Sequence, residues 1–355
     1  MTMTVLTTQA QIVVAGVDTH ADTHNVTVLA VDGRWLGNDE FPTGRAGYRM
    51  LLEWVSGFGV IDRFGVELTG SYGAGLTRYL IAAGVEVIDV DIPHPYTRSR
   101  RGKDDRIDSE AAARKVLSGE ATTIPKDTTG VVEALRNLKV ARDSAVKSRT
   151  VALQNIRDLL VTAPAGLRES VAGLKTLQAK AKHFAGVRAD ATRLEDPEQA
   201  AKKALKALAR RVLALNVEIA EADKDMSVLT SRIAPNLLSL NRVGPQHAAQ
   251  LLITAGSNVN RIRSEAAFAR LCGVAPVPVS SGKTHRMRLH RGGDRQANKT
   301  LYMIAINRMG NHQATREYVQ RRDSQKLSKK DIIRCLKRYI AREVYHALKA
   351  DLNRT

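Results

Sequence analysis

The sequence is poor in cysteine and aromatic residues and has no long apolar run, and each shortage excludes a class of protein. Among its 355 residues only Cys272 and Cys335 are cysteines, with no CxxC spacing, so no disulfide framework is expected and a reducing cytoplasm is indicated. Aromatic residues make up 4%, so base stacking on an aromatic platform is not the expected mode of nucleic-acid binding. No stretch reaches the roughly 18 apolar residues of a membrane span, and the N-terminus has no signal-peptide pattern, so we expect a soluble cytoplasmic protein without a membrane partner.

Acidic residues are also in deficit relative to basic ones. The chain has 55 lysines and arginines against 36 aspartates and glutamates, which gives a net charge of +19 and an isoelectric point near 10.1. Such an excess favours a polyanionic partner, and nucleic acid is the first candidate. Because aromatic residues are few, we expect contacts with phosphates and readout of nucleic-acid shape.

Four acidic residues in the first third of the chain form the first candidate site. Asp18 and Glu67 each end an apolar run, and Asp105 and Asp108 are three residues apart, so one helical face presents both. A carboxylate at the end of a buried strand costs desolvation free energy unless a cation or a donor meets it. Four converging carboxylates suit Mg²⁺ or Mn²⁺ and phosphate chemistry, since the nine histidines form no pair with metal-ligand spacing. Asp104 is the closest competitor, although it lies one residue off the pairing of Asp105 with Asp108; other nearby alternatives are Asp22, Asp32, Asp89 and Asp91.

Hydrophobic patterning predicts a mixed sheet with helices on its faces over the first part of the chain. Three strand-like segments come first, with Asp32 and Gly33 as a hairpin turn signal, and two more strands then alternate with helical patterns. This order matches an RNase H-like (RuvC-like) α/β domain, predicted over residues 10–125, in which the first strand pairs beside the fourth and brings Asp18 to Glu67. The predicted strands are 11–18, 24–31, 34–41, a segment ending at 67, and 85–90, with helices near 48–55, 74–83 and 105–118.

A long helical coiled-coil region is predicted next, over residues 126–233. One amphipathic helix covers about 129–160. Beyond Asp196, apolar residues from Leu205 to Ile233 alternate spacings of three and four, which is a heptad seam. The seam predicts a coiled coil that either folds back on the helix 129–160 or joins two subunits. An ordinary long helix packed inside one subunit is an equally good interpretation, since one seam does not reveal dimerisation.

The third region, residues 234–350, is predicted to be mainly helical. Residues 237–252 resemble a helix-hairpin-helix element, in which the Gly244 turn and the next helix N-terminus donate N–H groups to a phosphate; an ordinary helical hairpin is the alternative. Ser280, Ser281 and Gly282 then form a turn within a basic stretch, where a serine hydroxyl suits attack on phosphorus, although these residues alone favour an ordinary turn. The basic residues expected to contact nucleic acid, here and in the polar segment 91–103, are Arg98, Arg100, Arg101, Lys103, Lys283, Arg286, Arg288, Arg291 and Arg295.

Four short motifs, in this order, resemble those of a known family of transposases. Residues 17–20 (Val-Asp-Thr-His) resemble its first-strand motif, residues 66–70 (Val-Glu-Leu-Thr-Gly) its second, and residues 103–108 its Lys-Thr-Asp-Arg-x-Asp motif. In the C-terminal half, Leu-x-x-Val-Gly-Pro precedes Gly-Val-Ala-Pro and then Ser-Ser-Gly-Lys, which resembles the family's serine motif. The family is the RuvC-like (DEDD) insertion-sequence transposases, which have a catalytic serine, are related to the Piv invertase and are guided by a bridge RNA. Two departures from its pattern leave Asp104 as a competitor of Asp105, and Ser280 of Ser281.

The resemblance covers nearly the whole chain and implies a function. By this resemblance the acidic tetrad binds Mg²⁺ (or Mn²⁺) and orients the scissile phosphate, and Ser281 attacks phosphorus to form a covalent phosphoserine. It also implies donor and target DNA, a structured guide RNA that pairs with both, a location on the nucleoid, and a dimer or tetramer, in which Ser281 acts on its own or another subunit's tetrad.

Three other interpretations compete with this one. The nearest is a Mg²⁺-dependent endonuclease of the Holliday-junction type that uses water as its nucleophile. A non-catalytic architectural protein that binds DNA or RNA is the second. The third is a sugar-kinase-like or actin-like ATPase, which shares the aspartate at the end of the first strand, but the glycines at 70–75 form neither a GxGxxG nor a Walker A sequence.

Overall fold

The computed structural model describes residues 11–91, 104–282, 284–290 and 292–354, with the backbone alone for 281, 284–286 and 289. Contacts within the chain define two compact units. The first comprises Met1–Gly130 with Gly256–Arg263, and the second comprises Val131–Ala255 with Ser264–Thr355. The division into three regions at 125 and 233 stays a prediction.

The first unit contains a mixed five-stranded sheet in the order β3-β2-β1-β4-β5. Strand β1 pairs antiparallel with β2 and parallel with β4, β2 pairs antiparallel with β3, and β4 pairs parallel with β5. The predicted α/β sheet with β1 beside β4 is therefore confirmed, and the order is consistent with an RNase H-like fold. The elements are β1 (Ile12–Thr19), β2 (Thr23–Ala30), β3 (Trp35–Pro42), α1 (Arg45–Ser56), β4 (Val60–Glu67), α2 (Ala74–Ala82), β5 (Glu86–Val90) and α3 (Asp105–Leu117).

Both faces of the central strand β1 are covered, which explains its continuous apolar composition. Because side chains alternate along a strand, Val13, Ala15 and Val17 lie in one core with α1 and α2, whereas Val14 lies in a second core with α3. Gly16 shares the α3 face with Val14. A Cβ built at Gly16 would lie 2.1 Å from the Ser109 carbonyl oxygen, so the helix backbone rests directly on the strand.

The second unit is mostly helical, as predicted, with one two-stranded hairpin. Ala234 ends the longest helix, and Pro235 begins the next at a position where its missing N–H costs nothing. The elements are α4 (Gly130–Thr162), α5 (Ala165–Glu169), α6 (Leu177–Gly186), α7 (Pro197–Ile233), α8 (Pro235–Ser239), α9 (Pro245–Ala255), α10 (Glu265–Leu271), β6 (Pro276–Ser281), β7 (Thr284–Leu289), α11 (Arg295–Asn311), α12 (Gln313–Ser324) and α13 (Lys329–Leu352).

The heptad seam of α7 packs inside the chain. Ile156 and Leu160 of α4 share a buried cluster with Leu205 and Val212 of α7, which also includes residues of α6. Farther along, Arg142 of α4 forms an ion pair of 2.6 Å with an aspartate at position 223 of α7, so the two helices run antiparallel. Every seventh residue of the seam from 205 to 233 is buried, while residues 208, 215, 222 and 229 are half-buried. The seam thus packs on α4 within the chain, and both the coiled coil and the joining of subunits stay predictions.

Two further observations concern the cysteines and the hydropathy of the helices. Both cysteines are free. None of the helices in the described part of the chain has the length and hydropathy of a membrane span.

Candidate functional site

Two of the predicted acids lie at the same end of the sheet, where the neighbouring parallel strands β1 and β4 finish. Asp18 near the end of β1 and Glu67 at the end of β4 are both buried, and Val17 and Val66, which precede them, are paired in the parallel register. The Thr19 hydroxyl donates a hydrogen bond of 3.1 Å to the Glu67 carbonyl oxygen, which ties the two strand ends together. The carboxyl ends of these parallel strands therefore present both carboxylates on one side of the first unit.

The first turn of α3 carries the other two acids. Asp105 is half-exposed and Asp108 is buried, and the N-terminal end of a helix favours negative charge. Asp104 has a different task, since its side chain caps α3 by accepting a hydrogen bond of 3.0 Å from the Arg106 N–H. This geometry favours Asp105 over Asp104 as the third acid.

His20 joins two of the acids, and the sequence analysis missed it. Its Nε2 lies 3.2 Å from Asp18 Oδ2 and 3.2 Å from Asp105 Oδ2, and the three side chains form a group that can hold a metal ion. The sequence analysis looked only for pairs of histidines with metal-ligand spacing, and a single histidine beside two acids does not have that pattern. The useful signal was the spacing from Asp18 to His20, since residues two apart on an extended strand share a face.

A buried polar network holds α3 in register on the sheet. Ser109, the residue after Asp108, donates a hydrogen bond of 2.8 Å to Asn25 Oδ1 of β2, and its hydroxyl lies 2.8 Å from that of Thr27. Asn38 of β3 donates to Asn25 Oδ1 at 2.7 Å and to the Thr27 hydroxyl at 2.9 Å. Buried networks whose members are all hydrogen-bonded specify one arrangement. The network therefore fixes the position of α3, and with it both α3 acids, on the sheet.

A neighbouring half-buried acid, Asp89 of β5, has its own partner. Thr69 donates a hydrogen bond of 2.6 Å to Asp89 Oδ1, and burial raises the pKa of the Asp89 carboxyl. Between Glu67 and Thr69, Leu68 has a φ of 52°, a conformation rare for a residue with a branched side chain. The chain therefore turns sharply as it leaves β4, and Thr69 is directed to Asp89.

The predicted serine lies in the hairpin of the second unit. Ser281 ends β6, where it pairs with Thr284 of β7, and Ser280 pairs with His285. Gly282 has a φ of 55°, so the turn after Ser281 uses the left-handed region that glycine tolerates best. The backbone alone does not decide between the two serines.

The base of this hairpin is held by close backbone packing and by α11. A Cβ at Gly293 would lie 2.7 Å from the Gly273 nitrogen, so only glycine fits there. Asn298 of α11 donates hydrogen bonds of 3.1 Å to the Cys272 carbonyl and 2.8 Å to that of Gly273, and Lys337 of α13 donates to Asn298 Oδ1 at 2.9 Å. These contacts fix the position of the backbone from which the β6–β7 hairpin, which carries residue 281, extends.

Six of the nine basic residues predicted to contact nucleic acid lie outside the described part of the chain. Arg288 and Arg295 are exposed. Arg286 is described only by its backbone in β7. The residues that lie outside the described part of the chain are Arg98, Arg100, Arg101, Lys103, Lys283 and Arg291.

The donor set of the first unit fits a hard divalent cation. Asp18, Glu67 and Asp108 are carboxylates more than nine-tenths buried on one sheet and the helix packed against it. Holding such charges away from water is costly unless a positive charge compensates them. Oxygen ligands with at most one imidazole suit Mg²⁺ or Mn²⁺ better than zinc.

Two segments of the chain, one in each half, match models of known protein families. A family model for DEDD transposases of the IS110 type matches residues 15–163, and a model described as "Transposase IS116/IS110/IS902 family" matches residues 234–320. The "Insertion element IS110 uncharacterized 43.6 kDa protein" of Streptomyces coelicolor is 34% identical over 90 residues, which is 25% of this chain and 22% of the relative. The chain thus aligns with about a fifth of that relative's length. Together the two family matches span about two thirds of the sequence, and the chain belongs to the IS110 family of transposases.

Proposed function

We propose that the protein is a DNA transposase that acts as a site-specific recombinase. An RNase H-like (RuvC-like) catalytic domain at 10–125 carries the acids, a helical coiled-coil region at 126–233 follows, and a transposase domain at 234–350 carries Ser281. The observation that carries the proposal is the grouping of Asp18, His20 and Asp105. The buried Glu67 ends the strand next to that of Asp18, and the buried Asp108 lies one turn after Asp105 on α3. Family membership supports DNA as the substrate.

The acids have a binding and orienting role in this proposal. Asp18, Glu67, Asp105 and Asp108 hold Mg²⁺ or Mn²⁺, which supplies positive charge to a scissile phosphate. The carboxylates keep fixed positions because β1 and β4 are tied by Thr19, and α3 is tied by Ser109. A DNA phosphate is thereby oriented at the sheet edge without movement of the protein backbone.

Ser281 is the proposed nucleophile. Its hydroxyl attacks phosphorus, so that an Oγ–P bond forms while the bond between phosphorus and one deoxyribose oxygen breaks and that oxygen leaves as a hydroxyl. Attack by the hydroxyl of another DNA strand then reverses the step, releases the serine and joins the new strand. The covalent phosphoserine conserves the phosphodiester bond energy, which attack by water would lose. Arg288 and Arg295, with the basic residues around them, neutralise the phosphate charge.

The partners follow from the same proposal. Donor and target DNA are the substrates, and a structured guide RNA pairs with both, so that base pairing chooses the site. The net charge of +19 suits a protein that holds two nucleic acids. Exchange between two duplexes needs more than one active site, which favours a dimer or tetramer joined through α4 and α7.

Trapping of the covalent intermediate tests the nucleophile. Cells that express the protein are lysed in denaturant, the protein is purified with any attached DNA, and nuclease digestion leaves a nucleotide on the modified peptide for mass spectrometry. We expect the adduct on Ser281, its loss in Ser281→Ala, and its retention in Ser280→Ala, which is the matched control. Recombination by Ser281→Ala at the wild-type rate would refute the role of this serine.

A second measurement separates the recombinase from the water-dependent endonuclease. That alternative predicts cleavage of junction DNA by Ser281→Ala and its loss in Asp18→Asn. Sequencing of RNA that co-purifies with the wild-type protein tests the guide. A structured RNA encoded beside the gene is expected, and absence of any enriched RNA would leave an unguided recombinase.

A further inference from the structure

We propose that His20 is itself a ligand of the divalent cation, together with Asp18 and Asp105, so that the site is a mixed nitrogen–oxygen site and favours Mn²⁺ over Mg²⁺. This inference rests on the proposed function, because it assumes that the acids hold a cation. It changes the four-carboxylate set by adding an imidazole nitrogen.

The position of the His20 ring supports ligation. Nε2 is equally far, 3.2 Å, from Asp18 Oδ2 and from Asp105 Oδ2. In an octahedral site with metal–ligand bonds of about 2.1 Å, neighbouring ligand atoms lie about 3 Å apart. The two separations observed here are close to that spacing, and the ligand atoms of all three residues lie within 4.8 Å of one another.

An ordinary hydrogen bond explains His20 less well. Its Nε2 is buried, yet among the described residues it forms no hydrogen bond of acceptable geometry, although two carboxylate oxygens are near. A ring that served only as a donor would be expected to align with one of them. The backbone at His20 is fixed independently, since its N–H donates to the Thr23 carbonyl at 3.0 Å. The nitrogen is therefore held between the two acids by the turn that joins β1 to β2.

The chemical consequence is selectivity. Mg²⁺ prefers an all-oxygen shell that retains several waters, whereas imidazole nitrogen is a better ligand for Mn²⁺ and later transition metals. A nitrogen in the first shell should therefore raise the affinity for Mn²⁺ more than that for Mg²⁺. Glutamine at position 20 offers a similar reach with an oxygen ligand, so His20→Gln tests the nitrogen rather than the side-chain volume.

Electron paramagnetic resonance of Mn²⁺ bound to the full-length protein gives a direct readout. Electron spin-echo modulation detects a nitrogen nucleus bonded to the ion, without DNA and without catalysis. We expect nitrogen coupling in the wild type, a change to the ¹⁵N pattern when histidine is ¹⁵N-labelled, and loss of the coupling in His20→Gln. The variant should bind Mn²⁺ at least about tenfold more weakly, with a smaller loss for Mg²⁺.

The controls separate this inference from the function on which it rests. His183→Gln changes an exposed histidine of α6 in the second unit and should keep the nitrogen coupling. Mn²⁺ bound with no nitrogen coupling in the wild type would overturn the role of His20 and leave the acidic site intact. If the wild-type protein does not bind Mn²⁺, or if Asp18→Asn does not weaken the binding, the metal site itself is overturned. Circular dichroism of His20→Gln confirms that the variant is folded.

Discussion

Gly16→Ala is expected to displace the helix that carries half of the acidic site. A Cβ at this position would lie 2.1 Å from the Ser109 carbonyl oxygen, 2.2 Å from the Ala113 nitrogen and 2.8 Å from the Ala113 Cα. All three are backbone atoms of α3, so no rotamer change relieves the overlap. Non-bonded contact needs about 3.5 Å, so α3 must retreat from β1 by about 1.4 Å.

That retreat has two measurable results. Overpacking of this kind typically costs about 1–3 kcal/mol of stability. Asp105 and Asp108 move with α3 while Asp18 stays on β1, so the distances between the proposed metal ligands change. A displacement near 1 Å is enough to lower the rate of a catalysed step by about 100-fold. We expect Mn²⁺ affinity to fall by about tenfold or more.

Isothermal titration of Mn²⁺ and thermal unfolding of the full-length protein check this expectation. Gly70→Ala is the matched control, because the same added methyl would meet no atom within 4 Å and the backbone there does not need glycine. Wild-type Mn²⁺ affinity and melting temperature in Gly16→Ala would refute the reasoning. Lower stability with unchanged affinity would show that the acids do not depend on the position of α3.

Three further predictions concern residues that support the two candidate sites. Ser109→Ala should cost about 1–3 kcal/mol in thermal or urea unfolding, because Asn25 loses a buried donor, whereas Ser118→Ala at the exposed end of α3 should be neutral. Burial lowers the pKa of His24, so the folded state resists its protonation and stability is lost as pH falls below 6.5. His24→Phe should therefore make the melting temperature less dependent on pH between pH 7.5 and 5, and an unchanged pH dependence would contradict this. Asn298→Ala should speed tryptic cleavage within residues 283–291, since the hairpin base loses two hydrogen bonds, and Asn311→Ala on the same helix should not.

The sheet could be predicted from the sequence because its signals are local. Apolar runs, a hairpin signal at Gly33 and helical periodicity each involve a few neighbouring residues, and together they gave the strands, their order and the placement of Asp18 beside Glu67. The heptad seam of α7 was equally plain. Its partner was not, because a seam has the same pattern whether it packs on α4 or on another subunit.

The parts that could not be predicted depend on residues far apart in the sequence. Gly16 looks like any glycine in a strand until Ser109 and Ala113 are found against it. The role of Asp104 as a cap required the backbone of α3. His20 was within reach, since its spacing from Asp18 fits one strand face, but the search for histidine pairs passed over it.

Near the start of α3, a residue of the proposed metal site and a residue that holds the helix on the sheet are adjacent in sequence, and this limits how the site can vary. Asp108 is one of the buried acids, and Ser109, the next residue, ties the helix to β2 through Asn25. The carbonyl of Ser109 is also the atom nearest to a Cβ at Gly16. Any change that loosens this contact therefore moves two acids at once, whereas a change at Asp18 or His20 alters one proposed ligand and leaves the helix in place. Metal affinity should consequently follow fold stability for variants on the α3 interface, but not for variants at the end of β1.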